Sequence, residues 1–155
     1  MQQSLLRVDQ IIFRQIEIRA TENPNLQANY EINCEVEVFQ NKEDMARWRV
    51  DLIVRISGNG VPYSGCVSAV GHYTVRSEQA EEATLNLVNV NGPALLYSSI
   101  RELVVTLTGR GPHPSFLLPS VTFIDRKLKK EPRNNPVGET TTPLISPEAP
   151  KGENV

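Results

Sequence analysis

The sequence predicts an α+β fold in which a four-stranded antiparallel sheet is followed by two helices. Between residues 11 and 75, apolar and polar residues alternate with a period of two, which is typical of strands with one buried face. From Ser77 onward, apolar residues recur every three or four positions, which is typical of helices. Short polar turns favour an antiparallel meander, with a crossover loop as the alternative arrangement.

Four segments carry the strand pattern, and the second is the clearest. The segments are residues 11–21, 30–38, 48–57 and 61–75. In the second segment every other residue from Tyr30 is apolar, so the residues between them point to the opposite face. That opposite face carries an acidic row: Glu31, Glu35 and Glu37. We expect this row to be a solvated sheet face or, alternatively, a docking patch for a protein partner.

Two helices are predicted after the strands. The first begins near Ser77, a residue type that caps helices, and ends at the Asn-Gly-Pro sequence of residues 91–93. The second ends at Gly109, and its apolar residues are spaced four, three and four apart: Leu96, Ile100, Leu103 and Leu107. Apolar residues on opposing sides of the first helix indicate burial on both sides. We expect the side away from the sheet, with Leu85 and Val88, to contact another subunit.

The C-terminal part of the chain changes in composition. Residues 115–123 are strongly apolar but contain Pro119, so we expect an edge strand or an extended arm. Five of the 11 prolines lie between residues 130 and 155, with few large apolar residues. The sequence therefore predicts one domain over residues 1–125 and a disordered tail over residues 126–155.

Composition and charge narrow the functional classes. The chain has 16 Lys and Arg against 18 Asp and Glu, a net charge of −2, which does not suit a nucleic-acid binder. No apolar stretch approaches the ~20 residues that cross a bilayer, and the N-terminus lacks a signal-peptide pattern. Cys34 and Cys66 are too few for a disulfide framework or a four-ligand zinc site. We expect a cytoplasmic protein without nucleic-acid binding or membrane insertion.

Few residues are available for catalysis. The two histidines, His72 and His113, have no carboxylate partners at metal-binding spacing. Cys66 and His72 are six residues apart on one strand, so roughly 20 Å would separate them at strand rise, beyond hydrogen-bond reach. The glycine-containing turns match no phosphate-binding pattern. We therefore expect no enzyme activity, no metal and no cofactor.

Large apolar side chains gather on the second helix and in the segment after it. They are Tyr97, Phe116, Leu117, Leu118 and Phe123. One sheet and two helices cannot easily bury all of them, which favours oligomerisation, an apolar binding groove, or both. The alternative is that these residues complete the core of a monomer.

The second helix and the segment after it carry, in order, an Arg-Glu pair, Arg-Gly, a proline, a leucine and a Val-x-Phe ending. The positions are Arg101, Glu102, Arg110, Gly111, Pro114, Leu118, Val121 and Phe123. This order of motifs resembles the SecB family of protein-export chaperones, in which the leucine belongs to a Leu-rich arm. Four antiparallel strands before a short helix are also similar, so the resemblance covers roughly residues 5–125.

The resemblance implies a homotetramer built as a dimer of dimers, and an ATP-independent holdase that binds non-native polypeptides in apolar grooves. Client contacts are then expected at Leu26, Tyr30, Tyr97, Phe116 and Leu117. Members that serve protein export carry an acidic C-terminus that helps to engage the SecA motor. The tail here opens with basic residues instead: Lys127, Lys129 and Lys130. The sequence therefore leaves two roles open, general export with SecA as partner and protection of a specific client such as an antitoxin.

A function of another class is also compatible with the same residues. An interaction or scaffold module of this fold would use its acidic row for one fixed partner and would bind no unfolded polypeptides. A carrier of small apolar ligands is a third hypothesis, but the sequence has no pattern of an enclosing barrel.

Overall fold

Four antiparallel strands and one helix build the part of the chain that the computed structural model describes, residues 4–76 and 81–124. The strands are β1 (Leu6–Ala20), β2 (Glu31–Gln40), β3 (Arg47–Ser57) and β4 (Tyr63–Val75), and the helix is α1 (Glu81–Thr108). The predicted class, a four-stranded antiparallel sheet followed by helical structure, is confirmed.

The strands lie in the order β1-β4-β3-β2, so only the last three form a meander. β1 pairs with β4, and the chain then crosses the end of the sheet to reach β2 on the far edge. Two backbone bonds hold this crossover segment, residues 21–30, to the β3–β4 turn. The Thr21 N–H donates to the Pro62 carbonyl at 2.9 Å, and the Asn25 N–H donates to the Gly60 carbonyl at 2.8 Å. A simple meander is therefore wrong, and the crossover alternative is correct.

The core lies between α1 and one face of the sheet. On β3, Val50, Leu52 and Val54 are fully buried. The helix contributes four more fully buried side chains: Val88, Leu96, Ile100 and Val104. Because β2 is an edge strand, its inward row is only partly buried: Ile32, Cys34, Val36 and Val38.

The helix α1 is continuous, so the prediction of two helices is wrong. Pro93 lies inside it, although proline has no N–H to donate there. The Tyr73 hydroxyl donates to the Gly92 carbonyl at 2.9 Å. Gly92 also packs so closely on β3 that a Cβ would lie 2.9 Å from Val50 Cγ2. Packing of the flanking turns on the sheet outweighs the local break, which costs about 3 kcal/mol for proline.

After the helix, residues 112–124 form neither helix nor strand, and we call this segment the arm. The helix ends as predicted, with the Gly109 N–H donating to the Val105 carbonyl at 3.0 Å. Two arm side chains are buried: Leu118 and Phe123. The predicted helix start at Ser77 and the predicted tail over residues 126–155 lie outside the described residues. The division into a domain and a tail stays a prediction.

Candidate functional site

The arm covers Tyr97, one of the residues predicted to contact clients. The Tyr97 hydroxyl donates to the Pro119 carbonyl at 2.7 Å, and the Phe123 ring stands edge-on to the Tyr97 ring at 6.1 Å between centroids. Tyr97 is consequently 4% exposed. In this closed arrangement a client cannot contact Tyr97 unless the arm moves.

The arm also covers the end of the crossover segment. The Phe116 ring stacks on the Tyr30 ring at 3.8 Å between centroids, with an interplanar angle of 17°. The Phe116 N–H donates to Thr108 Oγ1 at 2.9 Å, which fixes the arm to the last turn of α1. The structure therefore brings together two predicted client residues, Tyr30 and Phe116, as partners of each other.

Two ionisable groups lie in the layer between α1 and β2, and burial shifts the pKa of each. Burial, with a smaller contribution from Cys34, raises the pKa of Tyr97 to about 12. Burial also raises the pKa of the Cys34 thiol, so this thiol is protonated at neutral pH and is a poor nucleophile. Both groups act as apolar lining between α1 and β2 rather than as reactive groups.

Two other predicted client residues are open to solvent. Leu26 in the crossover segment is 65% exposed, and Leu117 in the arm is 54% exposed. The two leucines are thus accessible, whereas Tyr30 and Phe116 are partly buried against each other and Tyr97 is buried beneath the arm.

A hub of two residues, Tyr63 and His113, fastens the base of the arm. The Tyr63 hydroxyl accepts the His113 backbone N–H at 3.0 Å, and its own proton reaches the His113 carbonyl at 2.8 Å or the Thr108 carbonyl at 3.0 Å. His113 Nε2 donates to the Thr21 carbonyl at 2.7 Å, since that oxygen can only accept. The hub therefore joins the crossover segment, the end of α1 and the arm.

Sequence reasoning missed Tyr63 and Phe123 as parts of this site. Tyr63 is an unremarkable first residue of β4, and its partners are 45 and 50 residues away in the chain, so no local signal identifies it. Phe123 carries two signals, as the end of the Val-x-Phe motif and as one of the surplus large apolar side chains, but neither assigns it to the client site.

Of the predicted subunit contacts, the structure assigns Val88 to the subunit's own core. Val88 lies on the side of α1 that faces the core and is 0% exposed, so its side chain has no surface left for a second subunit. The reason is the position of the sheet, which covers the helix face that Val88 shares with Leu96. Leu85 is partly buried and packs against the same core. Its role between subunits stays a prediction.

The acidic row lies on the outer face of the sheet, where arginines accompany it. Glu31, Glu35 and Glu37 are exposed, and Arg55 pairs with Glu35. Another arginine, Arg49, lies over the Phe39 ring at 4.3 Å. A face of mixed sign attracts a basic partner less than an acidic face would. The docking role of the row stays a prediction.

Within residues 4–76 and 81–124, no three His, Cys, Asp or Glu side chains are grouped as metal ligands. His72 lies partly exposed on β4, and His113 belongs to the hub. No helix in the described part of the chain is long and apolar enough to cross a membrane.

A solved structure has a similar fold: the Mycobacterium tuberculosis Rv1957 SecB-like chaperone in complex with a ChAD peptide from the Rv1956 HigA1 antitoxin. The match has a TM-score of 0.58 and 19% sequence identity, and it covers 79% of this chain and 93% of that chain. The chain has a SecB-like fold. A protein of unknown function from Streptococcus agalactiae matches with a TM-score of 0.40 and 17% identity, over 74% of this chain and 97% of that one. No family model and no curated protein matches the chain.

Proposed function

We propose that this protein is an ATP-independent chaperone, a holdase that binds non-native polypeptides and catalyses no reaction. The observation that carries the proposal is its SecB-like fold, shared with a chaperone whose structure contains a peptide. The region around the arm is where the proposed clients bind.

Exposed apolar side chains in the crossover segment and in the arm support this proposal. Burying one large apolar side chain of a client contributes about 1.5–3 kcal/mol, and Leu26 and Leu117 offer such contacts without any rearrangement. Summed over a long extended client, contacts of this size give affinity without demanding a particular sequence. That property suits a protein whose clients are unfolded.

Of the two roles left open by the sequence, we favour protection of a specific client such as an antitoxin. The peptide in the similar structure comes from an antitoxin. The mixed signs on the outer face of the sheet and the basic opening of the tail give less support to SecA-dependent export. We place this activity in the cytoplasm.

Aggregation of several unrelated, chemically unfolded proteins tests the function directly. Light scattering should fall when the protein is added in stoichiometric amounts without ATP. A scaffold module with one fixed partner would protect none of them, and that result would contradict the proposal.

A pair of variants locates the site. Replacing Leu26 and Leu117 together by serine should weaken client binding severalfold and leave the free energy of unfolding nearly unchanged, because both side chains are largely exposed. Met45→Ser is the matched control, since Met45 is also exposed, at 56%, but lies in the turn after β2, at the other end of that strand from Tyr30. Equal losses in both variants would place the site elsewhere.

We further propose a homotetramer in which Leu85 of α1 contacts another subunit. Leu85→Asp should place a charge in that interface and dissociate the tetramer into dimers, as measured by static light scattering. Asn86→Asp adds the same charge at an exposed neighbouring position and should leave the mass unchanged. A tetramer that persists in Leu85→Asp under dilution would exclude this interface.

A further inference from the structure

The base of the arm, residues 112–116, and its far half, residues 117–124, are held in different ways. The base is tied by the hub, in which one hydroxyl group serves both α1 and His113 and the His113 ring reaches the crossover segment. In the far half, side-chain attachments include a hydrogen bond from Tyr97 to the Pro119 carbonyl and the edge-on contact of Phe123.

Exposure follows the same division. Three apolar side chains of the far half are exposed to water: Leu117 at 54%, Val121 at 37% and Ile124 at 71%. Only Leu118 and Phe123 of this half are buried. Segments with few buried contacts open at lower free-energy cost than the core does.

We propose that the arm is the chain's own occupant of the client site, and that it opens from its far half while the Tyr63–His113 hub stays closed. This inference rests on the proposed holdase function and names how the site is regulated. Opening of the far half uncovers the Tyr97 ring, which is 4% exposed beneath the Pro119 carbonyl and the Phe123 ring. Client binding therefore competes with closure of the arm.

The closed arm also indicates which client segments fit. Its buried or stacked side chains are Phe116, Leu118 and Phe123, carried on a backbone that forms neither helix nor strand. A client that replaces the arm is then a segment without regular secondary structure that has two apolar side chains two residues apart and an aromatic one about five residues further on.

The Tyr97→Phe variant tests whether the arm competes with clients, because it keeps the ring and removes the hydrogen bond to the Pro119 carbonyl. A client that binds only the open form has an apparent Kd equal to its intrinsic Kd divided by the open fraction. Loss of one neutral hydrogen bond should raise that fraction, so client binding should become about two- to tenfold tighter. The probe is fluorescein-labelled, reduced and carboxymethylated lactalbumin, followed by fluorescence anisotropy.

Tyr73→Phe is the matched control, since it also removes one buried tyrosine hydroxyl, but one that bonds to the Gly92 carbonyl beneath the helix. It should lower stability without changing the apparent Kd. Hydrogen exchange of the arm amides should quicken in Tyr97→Phe and stay unchanged in Tyr73→Phe.

A second variant, Phe123→Ala, frees the same half of the arm by another route. A labelled synthetic peptide of residues 112–124 should bind this variant several times more tightly than it binds the wild-type protein. Suppose that the probe binds Tyr97→Phe no more tightly than the wild type, while the wild type still suppresses aggregation. The arm would then not compete with clients, although the holdase function would stand. Failure of the wild type to suppress aggregation would instead overturn the function itself.

Discussion

Two tyrosine hydroxyls fasten two different segments to the same apolar layer. Tyr73 donates to the Gly92 carbonyl in the middle of α1, and Tyr97 donates to the Pro119 carbonyl in the arm. The helix segment is flanked by fully buried side chains such as Leu96, whereas the arm segment lies beside Leu117, which is 54% exposed. Similar bonds therefore support a fixed element in one place and a displaceable one in the other.

The largest effect is expected in the core beneath α1. Leu96→Ala should lower the free energy of unfolding by about 2–5 kcal/mol, because Leu96 is 0% exposed and a cavity would remain. Leu95→Ala, at the adjacent and 39% exposed position, should cost about 1 kcal/mol or less. Urea denaturation measures both. Similar losses at the two positions would mean that α1 does not present one fixed face to the sheet.

Leu118→Ala tests whether the arm is less rigid than the core beneath α1. Leu118 is also 0% exposed, but the arm around it can move into the space that the smaller side chain leaves. We expect a loss near the lower end of the range for such truncations, about 2 kcal/mol, and below that of Leu96→Ala. An equal or larger loss would show that the arm is part of the cooperative core.

Tyr63→Phe and Tyr73→Phe compare two attachments: the hub, and the hydrogen bond from Tyr73 to the Gly92 carbonyl of α1. Each should lower stability by about 1–2 kcal/mol, since a buried carbonyl loses its donor. The Tyr63 variant should lose more, because its hydroxyl also accepts the His113 N–H. It should also quicken hydrogen exchange in both the crossover segment and the arm. Faster exchange in only one of these segments would show that the hub does not hold both of them.

The smallest effect is expected at Asp9, which belongs to neither region. A hydrogen bond from Thr74, with help from Arg7, holds the pKa of Asp9 below 3.8. The unfolded chain then takes up the proton first as the pH falls, so the stabilisation is present at neutral pH and shrinks as the pH falls below the usual pKa of an aspartate. Asp9→Asn should cost about a few tenths of a kcal/mol at pH 7, as for other exposed pairs, and progressively less as the carboxyl of the folded protein takes up its proton. A difference that does not shrink with falling pH would require another cause.

Much of the fold follows from local pattern. In β3 the alternation places Val50, Leu52 and Val54 on the buried side, because a strand turns successive side chains to opposite faces whatever its neighbours are. The helical spacing likewise places Leu96 and Ile100 on the sheet. The same pattern put Leu107 on the buried stripe, although it is 38% exposed where α1 approaches its end.

Part of the candidate site could also be anticipated from the sequence. The amphipathic and apolar character of Tyr30, Phe116 and Leu117 was enough to gather them into one region. Their mutual contacts were not predictable, since the stack of Phe116 on Tyr30 joins residues 86 positions apart in the chain. Tyr97 was expected to line an open groove, but its covering by Phe123 depends on how the arm folds back.

The sequence by itself determined the strands, the helical region, the end of α1 and the scarcity of catalytic groups, because each of these depends on neighbouring residues or on composition. Only the tertiary structure decided that β1 joins β4, that α1 runs through Pro93 and that the arm closes over Tyr97. These outcomes depend on contacts between distant segments. Strand pairing and packing between these segments outweigh the local preference for a turn, a break or an open chain.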